Sequence, residues 1–301
     1  MLRASVMALP FVVGFAQGAV AQCDPATSEV GQFRRLHESA LAKLDTFDDG
    51  ANYPGAIETL RCLSEAGYAA SSLALAYVYF EGAIVPEDKG EAISFLVSAA
   101  RDGDTDQVYE VAQSFKYGHF RLFRFDPEPA RANDLLTEAA YKGSVKAQLD
   151  LCEMYQSGSL VEQNFDVAID FCRRAAENGD GLAEIHVADL LSDHGRYPKD
   201  AAEAVAWYKK SACRGTNSGP LGMGKVYEKG VGVLQDYKLA HAWYNIASSQ
   251  LSPESQELAA KERDRVAAKL SDEQVIEAQQ LASALSQQIA SKTGICAVSN
   301  P

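Results

Sequence analysis

The sequence predicts an all-α solenoid: a stack of helix-turn-helix repeats closed by helical caps. Three observations carry this. Gly67, Gly103, Gly143, Gly179 and Gly215 follow one another at intervals of 36, 40, 36 and 36 residues. Eleven residues before each lies an alanine (Ala56, Ala92, Ala132, Ala168, Ala204), with Ala240 next in the series. Around each alanine, a capping-type residue stands four positions before (Asn52, Asp88, Glu128, Asn164, Asp200, Asp236) and an anchor three positions after (Thr59, Phe95, Leu135, Phe171, Trp207, Trp243). Registers that recur at one period denote stacked repeats rather than independent domains.

Composition agrees with a folded chain. The 301 residues are 47% hydrophobic, 23% charged and 9% aromatic, which excludes wholesale disorder, a collagen-like chain and a multi-span membrane protein. Asp plus Glu number 41 against 28 Lys plus Arg, a formal charge of −13. Such a surface repels phosphate backbones, so no nucleic-acid partner is expected.

Taken in order, residues 1–21 read as a signal peptide. Arg3 precedes an apolar run from Ala4 to Val20, and Ala19-Val20-Ala21 supplies a small-x-small cleavage pattern before Gln22. Pro10, Gly14, Gln17 and Gly18 interrupt the run and argue against a retained anchor, and Gln22 before Cys23 argues against a lipobox. Residues 22–50 form a capping segment with a helix from Gln32 to Thr46 through Phe33, Leu36, Leu41 and Leu44. Residues 51–250 are the array, its repeats ending near 67, 103, 143, 179, 215 and 251. In the second helix of each repeat, Asn or Asp accepts from the free N–H groups of the first turn. Spacings of three and four lay one apolar stripe along it, and the closing glycine is a C-cap able to adopt positive φ. The preceding helix carries anchors at Ser71, Leu75, Tyr79 and Gly82, at Ala147, Leu151, Tyr155 and Gly158, and at Gly219, Met223, Tyr227 and Gly230. Residues 251–301 are a helical cap and tail: Ser252-Pro253 opens a helix to Leu270, and Ser271 with Gln274 is a capping box opening another to about Ile289.

These residues carry a resemblance. The succession Gly224, Tyr227, Gly230, Gly232, Val233, Asp236, Ala240 and Trp243 is similar to the Sel1-like repeat, a relative of the tetratricopeptide repeat. The fourth repeat departs, with His194 at the loop-glycine position and Gly195 one place late. The second has Phe115 for the tyrosine and a four-residue insertion, and Asn52 to Gly67 resembles the second helix of a degenerate first repeat. The resemblance covers residues 51–250 and implies a right-handed α/α solenoid that binds proteins or peptides on its concave face, with no chemistry of its own. Similar proteins often end in an Ala-Lys-Glu-Arg-Asp segment, here Ala260 to Asp264.

Gly219 to Val226 nearly spells a phosphate loop, but Val226 replaces the Mg²⁺-holding hydroxyl and no strand precedes it. Some exported, cysteine-rich Sel1-like proteins are described as β-lactamase-like. Of the residues that chemistry needs, only Ser39 with Lys43, at the wrong spacing, and Lys292-Thr293-Gly294 are present. His37, His119, His186, His194 and His241 fall in different repeats and form no metal set, His119 and His194 being placed in loops and His186 near an anchor. Asp48-Asp49 and Asp102 with Asp104 read as turn and capping residues. No cofactor is implied.

Export would place the six cysteines in an oxidising compartment. Cys152 and Cys172 sit one residue past anchors on the two helices of one repeat, which favours an intra-repeat staple. Cys23 with Cys62 and Cys213 with Cys296 are then the remaining pairs. Six cysteines allow 15 connectivities, and buried thiols are the alternative.

One segment breaks the pattern. Tyr117 to Asp126 contains the four-residue insertion and sets three phenylalanines and two arginines between helices. His119, Phe120, Arg121, Phe123, Arg124 and Phe125 are the candidate binding residues, as a hairpin or basic-aromatic lip. The competing expectation is that Phe120, Leu122, Phe123 and Phe125 cover the core edge, with Arg121 and Arg124 exposed either way.

The expected function is therefore a non-catalytic protein- or peptide-binding scaffold or regulator of the bacterial envelope. The chain is expected to be monomeric, periplasmic or else extracellular, unanchored after cleavage, and partnered by another envelope protein or peptide. The alternatives are an envelope enzyme of β-lactamase-like or cell-wall-directed type, and a host-facing secreted protein.

Overall fold

The computed structural model describes residues 30–45, 53–194, 198–215, 218–250 and 253–297. Fourteen α-helices and one hairpin form an all-α repeat solenoid among these residues. The chain divides into two compact halves, Met1–Glu128 and Pro129–Pro301, the division falling inside the second repeat.

In the N-terminal half, α1 (Val30–Asp45), α2 (Tyr53–Glu65), α3 (Ala69–Glu81), α4 (Lys89–Asp102) and α5 (Thr105–Tyr117) pack each on the next. A hairpin of β1 (His119–Phe120) and β2 (Phe123–Arg124) follows α5. The C-terminal half runs α6 (Pro129–Tyr141), α7 (Val145–Ser157), α8 (Phe165–Glu177), α9 (Gly181–His194), α10 (Pro198–Arg214), α11 (Gly219–Lys229) and α12 (Tyr237–Gln250). It closes with α13 (Pro253–Ala267), α14 (Asp272–Ser291) and a 3₁₀ turn at Gly294–Cys296.

Small residues set the helix spacing. Ala56, Ala92, Ala132, Ala168, Ala204 and Ala240 are all buried, so neighbouring backbones approach without a side chain between them. Bulkier anchors fill the layer above. Tyr79 stacks on Phe95 with ring centroids 5.7 Å apart, and Tyr155 on Phe171 at 6.3 Å, so the anchors meet across the loop in the same way in both halves. Trp243 is buried and Trp207 half-buried. Asp88 and Asn164 accept from the backbone N–H three residues on, and Asp236 from Lys238 and Leu239. Gly82, Gly158 and Gly230 end α3, α7 and α11 in the left-handed region.

Three expectations are corrected. Asp200 is not an N-cap: α10 begins at Pro198, so Asp200 lies in the first turn, where its charge complements the helix dipole. His194 is the last residue of α9 rather than a loop residue. Gly103 closes α4 at φ −82°, so it is not there for positive φ. A Cβ at Gly103 would lie 2.5 Å from the Ala99 carbonyl oxygen and 2.8 Å from Gln107, so close approach requires glycine at this position. Asn52, Ser252 and Asp48-Asp49 lie outside the described residues.

Candidate functional site

The insertion folds on aromatic packing. Gly118 ends α5 in the left-handed region, and the Phe125 N–H donates to the Gly118 carbonyl at 2.9 Å, closing the hairpin's base. His119 pairs with Arg124 and Phe120 with Phe123. Phe80 of α3 takes Phe120, Phe123 and Phe125 at 6.2, 5.7 and 5.7 Å, and Phe125 also meets Phe115 edge-on. Three phenylalanines therefore cover the core edge. Leu122 does not, because it occupies the turn, points outward and is 91% exposed. Arg121 and Arg124 are exposed, and His119 stacks on Tyr117 at 5.9 Å.

The hairpin forms one side of a groove. A cavity of about 710 Å³ lies between α1, the start of α2, α3 and the hairpin. Leu41, Leu44, Leu73, Ala74 and Ile84 give it an apolar floor, and His37, Asp45, Tyr53, Tyr77, Glu81 and Arg121 edge it. The Arg121 guanidinium lies 5.4 Å from the centre of the Tyr77 ring, and the Tyr77 hydroxyl donates to Glu81 at 3.2 Å. Burial, reinforced by Glu81, raises the Tyr77 pKa above its ordinary value. His37 Nδ1 is 2.9 Å from the Ser71 hydroxyl, and burial lowers its pKa against the pull of Glu38. This arrangement can hold a side chain or a short chain segment by apolar contact with a few directed polar groups.

Leu41 and Leu44 were readable only as core positions of a cap. Phe33 and Ala40 are the residues of α1 that bury, while His37, Leu41 and Leu44 form a second stripe facing the groove. That offset pair of stripes was the available signal.

The remaining candidates disperse. The Gly219 to Val226 run is the body of α11, not a loop at a helix start. Ser39 is exposed on α1, and Lys292 caps α14 in the left-handed region. His186 is half-buried, its Nε2 3.8 Å from Glu153. Asp104 caps α5 in a capping box, and Asp102 pairs with Arg101 at 2.6 Å. Among the described residues no group of three His, Cys, Asp or Glu side chains could hold a metal, and no helix is long and apolar enough to cross a membrane.

The structure joins Cys152 to Cys172, Cα atoms 5.1 Å apart, and Cys213 to Cys296, 5.4 Å apart. Cys62 is half-buried beside the Phe33–Leu63 cluster, and Cys23 lies outside the described residues.

His241 on α12 is 3% exposed, and its Nδ1 has no hydrogen-bond partner among the described residues. Burial, then the Arg263 charge, lowers its pKa below 6.5, against Asp264. The unfolded chain then binds a proton that the folded chain refuses. The expected result is full stability above about pH 6.5, lost progressively below it at up to about 1.4 kcal/mol per pH unit. Urea titrations between neutral and mildly acidic pH check this against His241→Phe, which should show a shallower loss; identical pH profiles would refute it.

The fold defines a class: an all-α helical repeat solenoid. Its family follows from the repeats themselves. The Sel1 repeat model matches residues 68–104, 145–180, 182–216 and 221–250, and the chain belongs to the Sel1-like repeat family. The chain is 31% identical over 153 residues to chitin synthase regulatory factor 3 of Schizosaccharomyces pombe, covering 49% of this chain and 16% of that one. It is 27% identical over 143 residues to chitin synthase regulator SKT5 of Saccharomyces cerevisiae, covering 46% and 20%. The chain thus spans a fifth or less of these relatives. A Sel1 repeat protein from Oxalobacter formigenes shares the fold at a TM-score of 0.53 and 18% identity, over 84% of this chain and 98% of that one.

These relatives correct the expected location. They are named as fungal chitin synthase regulators rather than as bacterial envelope proteins, so the periplasmic or extracellular placement does not stand. The run from Ala4 to Val20 lies outside the described residues. The compartment argument for the disulfides falls with that placement, and the two pairs rest on their Cα separations of 5.1 and 5.4 Å.

Proposed function

We propose that the chain is a non-catalytic scaffold that holds a segment of a protein partner and regulates that partner. The groove of α1, α3 and the hairpin carries this reading: a cavity of about 710 Å³ with an apolar floor and a sparse polar edge. The repeat fold supports it, because stacked helix pairs present side chains in series to an extended ligand. The names of the fungal relatives, regulators of an enzyme rather than enzymes, support the regulatory sense.

Photo-crosslinking from position 74 on the groove floor tests it. Capture of a discrete protein partner is expected, and Ala74→Trp, which fills the groove, should lower the partner's affinity at least about tenfold at unchanged helicity. Undiminished affinity in that variant would remove the groove from the function. Turnover of a chromogenic β-lactam by the chain would overturn the non-catalytic part.

A further inference from the structure

We propose that the hairpin tip is a docking knob for an acidic segment of a protein partner, Arg121 and Arg124 meeting its carboxylates and Leu122 entering an apolar recess on it. The proposal rests on the reading that the chain binds a protein, and adds which kind of segment.

Four observations carry it. Leu122 is 91% exposed on a hairpin anchored from below by Phe120, Phe123 and Phe125, so an apolar side chain is held rigidly outward at no cost to the core. A pre-formed projection loses little conformational freedom on binding. Arg121 adopts φ +54°, a conformation that disfavours any residue but glycine and that sets up the tight turn. Strain retained at an exposed tip, in a segment the other repeats lack, points to use of the tip. Neither guanidinium forms an ion pair with a carboxylate of the described residues: Arg121 lies over the Tyr77 and Phe120 rings at 5.4 and 5.7 Å. Arg124 lines a second cavity of about 470 Å³ together with Lys89, Ile93, Phe125, Asp126 and Glu128. Finally, the chain's formal charge is −13, so most of its surface repels an acidic segment and the tip is where one is admitted.

The probe is a short fluorescein-labelled peptide of glutamates around a leucine, set against the same peptide with lysines, read by anisotropy on the full chain. The acidic peptide should bind about tenfold tighter than the basic one, less so as salt rises, and Arg121→Glu with Arg124→Glu should invert the preference. Arg121→Lys with Arg124→Lys, which keeps the charge, should retain it. Equal binding of both peptides, or an acidic affinity unchanged in the double glutamate variant at unchanged melting temperature, would overturn the knob. Acidic binding lost in Ala74→Trp but kept in the double glutamate variant would also overturn it, and would leave the groove reading standing.

Discussion

Gly222→Ala is expected to destabilise the C-terminal half by about 3 kcal/mol, against the usual sign of that exchange. Inside a helix, glycine to alanine ordinarily gains about 1 kcal/mol of helix propensity. At this position the added Cβ would lie 2.1 Å from Cδ1 and 2.2 Å from Cε1 of Tyr208, a side chain only 2% exposed. The ring has nowhere to go. Its hydroxyl donates to Asp189, so displacing it also breaks a partly buried hydrogen bond. Overpacking of this kind costs about 1–3 kcal/mol, and a lost, partly buried hydrogen bond adds about 1 kcal/mol. Gly224 stands in the same relation to Tyr244, whose ring the new Cβ would approach to 2.5 Å and whose hydroxyl donates to Glu228 at 3.0 Å. The two glycines let α11 settle between tyrosines from the helix before it and the helix after it. Because each repeat leans on its neighbours, the loss should spread beyond α11. Urea unfolding measures it, with exposed Lys225→Ala as the control expected within about 0.5 kcal/mol of the parent. A gain in stability for Gly222→Ala would refute the packing account.

Gly222 also marks what the sequence made legible. Spacing along one chain is a local property, so the recurring alanines, anchors and left-handed glycines could be read in order, and the helices stand where their period puts them. What spacing cannot report is which distant atom occupies the space beside a residue. Gly103 satisfied the period but is required by the Ala99 carbonyl and Gln107 rather than by its own φ. Asp200 satisfied the capping register, but α10 starts one turn early at Pro198. The groove is the extreme case: His37, Tyr53, Tyr77 and Arg121 come from four elements, and no short motif joins them. The hairpin was readable in part. Its phenylalanines promised packing and its arginines exposure, whereas Leu122 belongs with the arginines because the two-residue turn takes it away from Phe80.

The largest single effect is expected from the Cys213–Cys296 link, whose removal should cost about 4.5 kcal/mol. The residues are 83 apart in sequence, and the loop-entropy estimate grows with the length of chain that a cross-link closes. The same estimate gives only about 3.3 kcal/mol for Cys152–Cys172, which are 20 apart and join two helices that already pack on each other. Placement adds to the difference. Cys213 is near the end of α10, and Cys296 lies in the 3₁₀ turn after α14, so the bond ties the last described element back to α10. Terminal elements of repeat arrays fray because they have a neighbour on one side only. Here α14 packs on α12 and α10, and the covalent tie holds it there. The double variant Cys213→Ser with Cys296→Ser leaves no odd thiol and should lower the unfolding free energy by about that amount, with amide exchange accelerated first in α14. Cys152→Ser with Cys172→Ser should cost less and leave α14 exchange unchanged. Equal stability of the parent chain with and without reductant would refute the contribution of both links.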